Sequence, residues 1–251
     1  MIPAMDASGW RLTLRRILRQ RGAVIGGAIV IVVSLLALLA PWIAPLPFDD
    51  TDLLNSWAPP DAVNWLGTDK LGRDIASRLL MGARTSLAVA LSVLAITLLV
   101  GVTLGMTAGY FGGKADSLVM RLVDIVLAFP EVVFAILVAA VLGPSLATVI
   151  VALSCVWWPG IARLTRSLVL VQKQELYVDA AIVSGTPPAQ ILRRHLLPNI
   201  VSPLIVRASV GIGFIIMAEA TLSFLGLGVQ EPTPSWGRMI HDGLPALRSD
   251  P

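Results

Sequence analysis

The chain has 251 residues, of which 56% are hydrophobic and 14% are charged. Its apolar residues come in long blocks, and this composition excludes a soluble globular domain. The formal net charge of +3 would be compatible with nucleic-acid binding, but the arginines flank the apolar blocks, where cytoplasmic loops carry positive charge. We therefore expect an all-α polytopic membrane protein that sits in a lipid bilayer and binds no nucleic acid.

Five apolar segments approach or meet the length of about 20 residues that a helix needs to cross a bilayer. They run approximately over residues 22–44, 86–109, 118–142, 146–164 and 200–222. The basic leader before the first segment is compatible with a secretory signal. However, the apolar run is too long, and Pro41 follows Ala40 where a cleavage site would be expected. The first segment is therefore predicted to remain as a membrane anchor.

The distribution of positive charge predicts the orientation of these spans. Residues 1–21 form a basic tail that places the N-terminus in the cytoplasm, and the alternation of spans brings the loop at 166–198 to the same side. Residues 45–84 then form an extracytoplasmic loop, and residues 85–251 form the main membrane domain. The charges of the tail are those of Arg11, Arg15, Arg16, Arg19 and Arg21.

The outer loop ends in the segment WLGTDKLGRDIASRLLMGAR, residues 65–84. Gly67 and Gly72 permit turns there, while Asp69, Arg73 and Asp74 can form a compact cluster of ion pairs. Two roles are compatible with this segment. It can lock the outer loop against the helix bundle, or it can contact a docking protein.

The second predicted span carries Gly101, Gly105 and Gly109 at every fourth position. Such a stripe allows a neighbouring helix to approach closely, either inside the bundle or across to a partner subunit.

Four ionisable residues lie within predicted spans: Asp124, Glu131, Arg207 and Glu219. Each would cost roughly 2.5–3.5 kcal/mol at the centre of a lipid-exposed helix, so each is expected to face protein or water. For Asp124 we expect an ion pair with Arg121, three residues away on the same helix. The other three are candidates for the lining of a transport pathway, and the partners of Arg207 and Glu219 are expected in a second subunit.

Residues 174–198 separate the last two predicted spans and are consistent with two short helices. The first runs over residues 174–184 and stops at Gly185, which supplies the backbone freedom of a helix end. Thr186 is the expected N-cap of the second helix, Pro187 its first residue and Pro198 its end. An amphipathic helix pair lying on the membrane surface is an alternative interpretation.

The same segment, ELYVDAAIVSGTPPAQILRRHLLPN, resembles the cytoplasmic coupling loop of permease subunits in ABC importers. The residues that match its pattern are Asp179, Ala180, Ala181, Gly185, Leu197 and Pro198. Residues 65–84 resemble the GTDxLGRD signature of the C-type permease of dipeptide, oligopeptide and nickel importers. The likeness continues through AGYFGGKADSLVMRLVDIVLAFP and AEATLSFLGLGVQEPTPSWGRMI.

This resemblance implies the type I ABC importer transmembrane fold, with a cytoplasmic pair of coupling helices, in a bacterial inner membrane. Residues 85–251 would then be the permease core, and the expected function is ATP-driven, binding-protein-dependent import of di- or oligopeptides. Nickel or glutathione import is an alternative. The residues expected to contact the ATPases are Glu175, Tyr177, Asp179, Ala180, Ala181, Gly185, Arg193, Arg194, His195 and Pro198.

The implied partners are a homologous second permease, two ATP-binding cassette ATPases and an extracytoplasmic solute-binding protein. ATP and Mg²⁺ would bind to the ATPases, because this chain has no Gly-x-x-x-x-Gly-Lys-Ser/Thr loop. We expect no catalytic residue and no cofactor in the chain itself. Cys155 is interpreted as a packing residue, and His195 and His241 lack neighbours at metal-ligand spacing.

Three features depart from the family pattern. Asp179 stands where glutamate is usual, and His195 where isoleucine is usual in the general pattern. The resemblance also implies a sixth span after the PSWG region, and we expect about 20 further apolar residues beyond residue 251. A proton- or sodium-driven secondary transporter and a non-transporting membrane scaffold are alternatives from other functional classes, since both can carry similar spans.

Overall fold

The computed structural model describes residues 19–246. Arg11, Arg15 and Arg16 of the basic tail lie outside this range, as do residues 247–251. Within the described range the chain forms helices joined by turns, with one isolated antiparallel bridge between Thr68 and Asp74. The helices are α1 (Arg21–Ile43), α2 (Ile75–Phe111), α3 (Gly113–Leu127), α4 (Glu131–Leu142), α5 (Leu146–Gln172), α6 (Leu176–Val183), α7 (Pro188–Phe224) and α8 (Trp236–Gly243).

Four of these helices, α1, α2, α5 and α7, are long and apolar enough to cross a membrane. They contain the first, second, fourth and fifth predicted spans. Helix α2 begins well before residue 86, because the carboxylate of Asp74 accepts a hydrogen bond from the Ser77 amide (2.7 Å) and caps the helix at Ile75. The apolar pattern alone did not indicate this earlier start.

The third predicted span is not one continuous helix. Helices α3 and α4 meet at an angle of 90°, a geometry that is found in broken spans and in re-entrant loops. Pro130 lies at the break, where it lacks an N–H group and restricts the conformation of Phe129 before it. The apolar segment predicted over residues 118–142 is therefore interrupted at Pro130.

The glycine stripe of α2 packs directly against α5, inside this chain. A Cβ atom added to Gly105 would lie 2.4 Å from the carbonyl oxygen of Ala162, and one added to Gly101 would lie 2.7 Å from Ile161. At Gly109 the nearest atom, on Val169, would be 2.9 Å away. All three distances are shorter than side-chain carbon atoms tolerate, so any larger residue would push the two helices apart.

Besides a small cluster that joins α2 and α5 to α3 through Ala108, Ala162 and Val123, two larger apolar cores lie along this α2–α5 pair. One joins α2, α5 and α7 to α4 through Val93, Leu153, Ile215 and Ala135. The other lies at the C-terminal end of α2 and joins Met106 and Val169 to α6 and the start of α7. The second core connects the loop between the last two spans to the membrane helices.

Candidate functional site

Helix α6 ends in a glycine turn, as predicted. Gly185 has a φ of +73°, and its N–H donates to the carbonyl of Ile182 (3.0 Å). The N–H of Thr186 reaches further back, to the carbonyl of Ala181 (3.0 Å). These two bonds form a Schellman motif, which satisfies carbonyls that the helix end would otherwise leave unpaired.

The second helix starts one residue later than expected and does not end at Pro198. Pro187 occupies the N-cap position and Pro188 the first helical position, so the expected cap by Thr186 is wrong. A π-helical segment, Ile191–Leu196, then leads into the regular helix Leu197–Phe224. Pro198 is the second residue of that regular helix, and because it has no N–H group it cannot donate to the preceding π-helical turn. The loop is therefore continuous with α7.

The candidate coupling residues Arg193, Arg194 and His195 all lie in the π-helical segment. Both arginines are exposed, while His195 is half-buried. A π-helical segment is rare and widens the backbone, and such segments occur frequently at functional sites. Here it marks the junction between the loop and the membrane helix.

A polar network connects α6 to α7 across this junction. The Tyr177 hydroxyl donates to Oε1 of Gln172 (2.7 Å) and accepts from the Asn199 amide (3.2 Å). The same amide donates to the carbonyl of His195 (2.6 Å), whose ring centroid lies 6.4 Å from that of Tyr177. Desolvation raises the pKa of Tyr177, so its hydroxyl stays protonated and able to donate. Sequence reasoning missed Gln172 and Asn199, which carry no motif signal.

The loop surface contains an open groove of about 560 Å³ between α6 and the start of α7. Ala180 and Ala181 leave room for it on one side, and Arg194, His195 and Pro198 line the other. Tyr177 also lines the groove, so six of the ten predicted coupling residues meet there. The other four, Glu175, Asp179, Gly185 and Arg193, are exposed on the same loop outside the groove lining.

The two faces of the loop differ sharply. On the inner face, Val178, Ile191 and Leu196 are buried against the ends of α2 and α5. On the outer face, Leu176 is 84% exposed and Val183 is 88% exposed. A loop held by its inner face while it presents apolar side chains outward has the form of a docking surface.

The intramembrane candidates have different surroundings. Glu131 is exposed at the start of α4 and lines a small cavity beside Trp157. The guanidinium of Arg207 lies 5.8 Å from the centre of the Trp157 indole, and Arg207 makes no salt bridge within residues 19–246. Arg207 thus lies over the ring of Trp157, and Trp157 also lines the cavity that contains Glu131.

Glu219 is fully buried and has its partners in this chain. It accepts hydrogen bonds from the hydroxyls of Ser86 on α2 (3.0 Å) and Ser223 on α7 (2.7 Å). The expectation that its partner belongs to a second subunit is therefore wrong. The expected pair between Arg121 and Asp124 is wrong as well, because Asp124 pairs with Arg163 of α5.

The segment at residues 65–84 holds a larger ion-pair cluster than expected. Asp69 pairs with the buried Arg73 (2.7 Å) and with the buried Arg78 (3.4 Å). Asp74 caps α2 and makes none of the salt bridges in the described part of the chain. The remaining members join this loop to the C-terminal region: Lys70, Glu231, Arg238 and Asp242. The cluster thus joins residues 69–78 to residues 231–242 at the N-terminal end of α2.

Comparisons with known proteins match nearly the whole chain. Residues 101–247 match the family described as binding-protein-dependent transport system inner membrane component. Residues 8–60 match the N-terminal TM domain of oligopeptide transport permease C. A structure of the MetNI methionine ABC transporter in inward-facing conformations is 19% identical, with a TM-score of 0.54 over 69% of this chain and 83% of that one. That likeness confirms the expected fold.

Curated relatives are similar over most of their length. The dipeptide transport system permease protein DppC of Alkalihalophilus pseudofirmus is 39% identical, covering 97% of this chain and 80% of its own length. The glutathione transport system permease protein GsiD of Pectobacterium atrosepticum is 43% identical, covering 93% and 78%. The oligopeptide transport system permease protein OppC of Bacillus subtilis is 37% identical, covering 98% and 81%. The chain belongs to the family of inner-membrane components of binding-protein-dependent transport systems.

Proposed function

We propose that this chain is one of two permease subunits of an ATP-driven importer for di- or oligopeptides. Its relatives named for dipeptide and oligopeptide transport support the solute class. Glutathione is the second candidate solute, since a relative named for glutathione transport is 43% identical. Glutathione is itself a small peptide, so both solutes belong to one chemical class.

The observation that carries the proposal is the construction of the loop between α5 and α7. Its outer face offers a groove and exposed apolar side chains, and its inner face is packed on α2 and α5. An ATPase bound to the outer face would therefore move the ends of the membrane helices together with the loop. ATP and Mg²⁺ would bind to that ATPase, and this chain would transmit the movement of the ATPase to the membrane helices.

Coupling requires that the loop bind the two ATPase states with different affinity, because equal affinity would shift no equilibrium. The exposed residues near the groove, Arg193, Arg194 and Asp179, supply charge for this contact. Closure of the ATPase pair would pull on α6 and α7, and the membrane bundle would open toward the binding protein on the outer side.

Arg207 and Glu131 are the candidates for the solute pathway. An arginine without an ion pair is costly in a lipid-facing position, so Arg207 is expected to face water or a second permease. A peptide carries a carboxylate and an ammonium group, and the two charges beside Trp157 are opposite in sign. Glu219 is instead assigned to the α2–α7 contact, because both of its oxygens are hydrogen-bonded inside the chain.

Disulfide cross-linking in the assembled transporter tests the docking surface. A cysteine at Val183, in a Cys155→Ala background, should cross-link to a cysteine in the ATPase groove, and the yield should change when ATP is added. A cysteine at the exposed residue Val141, in the membrane helix α4, is the matched control and should not react. Cross-linking from Val141 but not from Val183 would refute the docking surface.

A further inference from the structure

Helix α6 is short and makes limited apolar contact with the bundle. It buries two of its eight residues, Val178 and Ala181, on its inner face. The Schellman motif at Gly185 fixes its C-terminal end. Apolar contact is non-directional, so two buried side chains three residues apart leave the N-terminal end of α6 free to tilt. A directional contact is therefore needed to fix the orientation of this helix.

The hydroxyl group of Tyr177 supplies a directional contact at the N-terminal end of α6. It donates to Oε1 of Gln172, the last residue of α5 (2.7 Å), and accepts from Nδ2 of Asn199 in α7 (3.2 Å). A hydroxyl has one hydrogen, which is committed to Gln172, so the second bond depends on a donor from α7. One oxygen atom thus joins α5, α6 and α7.

The amide group of Asn199 uses both of its hydrogens inside the chain. One bond goes to Tyr177, and the other goes to the backbone carbonyl of His195 (2.6 Å). His195 lies in the π-helical segment, and Pro198 follows it without an N–H group that could bond to that segment. The Asn199 side chain therefore gives the π-helical turn a donor from the regular helix.

Tyr177 and Asn199 both line the groove of about 560 Å³ on the outer face of the loop. Water reaches their hydrogen bonds while the groove is open, and it competes for the donors and acceptors. A protein seated in the groove would exclude that water, and hydrogen bonds are stronger in surroundings of lower polarity. Docking would therefore tighten the contact between α6 and α7.

We propose that Gln172 and Asn199 are positioning residues of the coupling loop, which act through the Tyr177 hydroxyl. They hold α6 in a fixed orientation on α5 and α7, so that movement of α6 is passed to both membrane helices. This assignment rests on the proposed importer function, in which an ATPase moves the loop. Direct contact with the ATPase is the alternative role, but both amide hydrogens of Asn199 are already engaged inside the chain.

Hydrogen–deuterium exchange in the assembled transporter, in nanodiscs, tests the orientation of α6 without any transport. Asn199→Asp keeps the side-chain shape but carries no N–H donor, and Gln172→Leu removes the acceptor. Each should speed exchange of the α6 amides by at least about threefold, because loss of the contact favours local opening. Ser167→Ala is the matched control, since this exposed hydroxyl of α5 bonds within its own helix, to the Leu164 carbonyl (2.7 Å).

Coupling is measured as the number of solute molecules taken up per ATP hydrolysed, in vesicles that contain the transporter and its binding protein. The probe solutes are radiolabelled alanyl-alanine and glutathione. The ratio should fall about fivefold in Asn199→Asp and in Gln172→Leu, the factor that corresponds to one hydrogen bond of average strength. Gln172→Glu keeps the acceptor oxygen and should restore the wild-type ratio, and Ser167→Ala should match it.

The double variant adds a readout that general destabilisation would not give. Asn199 and Gln172 act through one hydroxyl, so Asn199→Asp combined with Gln172→Leu should lower the ratio no further than either single change. Losses that multiply in the double variant would overturn the shared role.

Unchanged exchange in α6, or an unchanged ratio of uptake to hydrolysis in both single variants, would also overturn the proposal. Weaker binding of the ATPases to the variants, with unchanged exchange in α6, would overturn it in favour of direct contact. If the wild-type transporter takes up neither probe, the proposed function fails, whereas the exchange experiment still tests the orientation of α6.

Discussion

Ser86 of α2 and Glu219 of α7 form a hydrogen bond of 3.0 Å inside the apolar core of the bundle. The carboxylate also accepts from Ser223, so neither of its oxygens is left unpaired. This contact joins two membrane helices that are distant in sequence, and it places a charged residue in a structural role.

Glu219→Leu should destabilise the protein. The substitution removes the acceptor for two buried hydroxyls, and each unpaired polar group costs about 1–3 kcal/mol. Unfolding by increasing SDS, followed by circular dichroism, should show a lower midpoint. Glu131→Leu changes an exposed glutamate and should leave the midpoint nearly unchanged. Equal stability of the two variants would contradict the structural role of Glu219.

Gly185→Val should uncouple transport from ATP hydrolysis. A valine at a φ of +73° is strained by roughly 1–2 kcal/mol, although no neighbouring atom blocks its side chain. In reconstituted vesicles we expect solute uptake to fall, while binding-protein-stimulated ATP hydrolysis becomes uncoupled from uptake. The affinity of the binding protein for its solute should not change. Gly185→Asn is the matched control, because asparagine tolerates this conformation. Normal uptake by a folded Gly185→Val variant would refute the coupling role.

Gly105→Val should separate α2 from α5. Even a Cβ atom there would lie 2.4 Å from the Ala162 carbonyl, so overpacking should cost about 1–3 kcal/mol or prevent assembly. Gly213→Val changes a glycine of α7 that has open space around it. Thermal unfolding in detergent should therefore show a large decrease in the unfolding temperature for Gly105→Val and a small decrease for Gly213→Val. Similar decreases in the unfolding temperature of the two variants would show that the glycine stripe does not mediate the packing of α2 against α5.

Asp69→Asn should loosen the loop at residues 45–74. Arg73 and Arg78 are 2% and 1% exposed, and both pair with Asp69. Removing Asp69 leaves the buried Arg78 without its carboxylate partner, and breaking a buried pair in this way costs about 3–5 kcal/mol. Limited proteolysis should cut residues 45–74 faster in this variant, whereas Asp49→Asn should match the wild type. Unchanged protection in Asp69→Asn would mean that the cluster does not hold the loop.

Cysteine labelling tests the proposed orientation. In a Cys155→Ala background, Val63→Cys should react with an impermeant reagent in intact spheroplasts, and Gln190→Cys should react only after permeabilisation. Both positions are exposed, so accessibility within the protein does not separate them. The reverse labelling pattern would place the coupling loop on the extracytoplasmic side and would contradict the proposed mechanism.

The sequence determined the features that depend on local chemistry. Apolar runs of sufficient length predicted four continuous spans, because a bilayer sets the length of such a run. Gly185 predicted the end of α6, because a left-handed backbone conformation favours glycine. The order of small residues, glycine and Leu-Pro in the loop indicated the family, which the comparisons confirmed.

Only the tertiary structure decided which groups meet across helices. Arg121 is three residues from Asp124, yet Arg163 is the partner, because a neighbouring helix brings its guanidinium closer. The glycine stripe indicated a close contact but not that α5 makes it. The 90° bend at Pro130 and the partners of Glu219 depend on how α4 and α7 pack. Local pattern specifies backbone conformation and burial, whereas ion pairs, cavities and buried hydrogen bonds arise from residues distant in sequence.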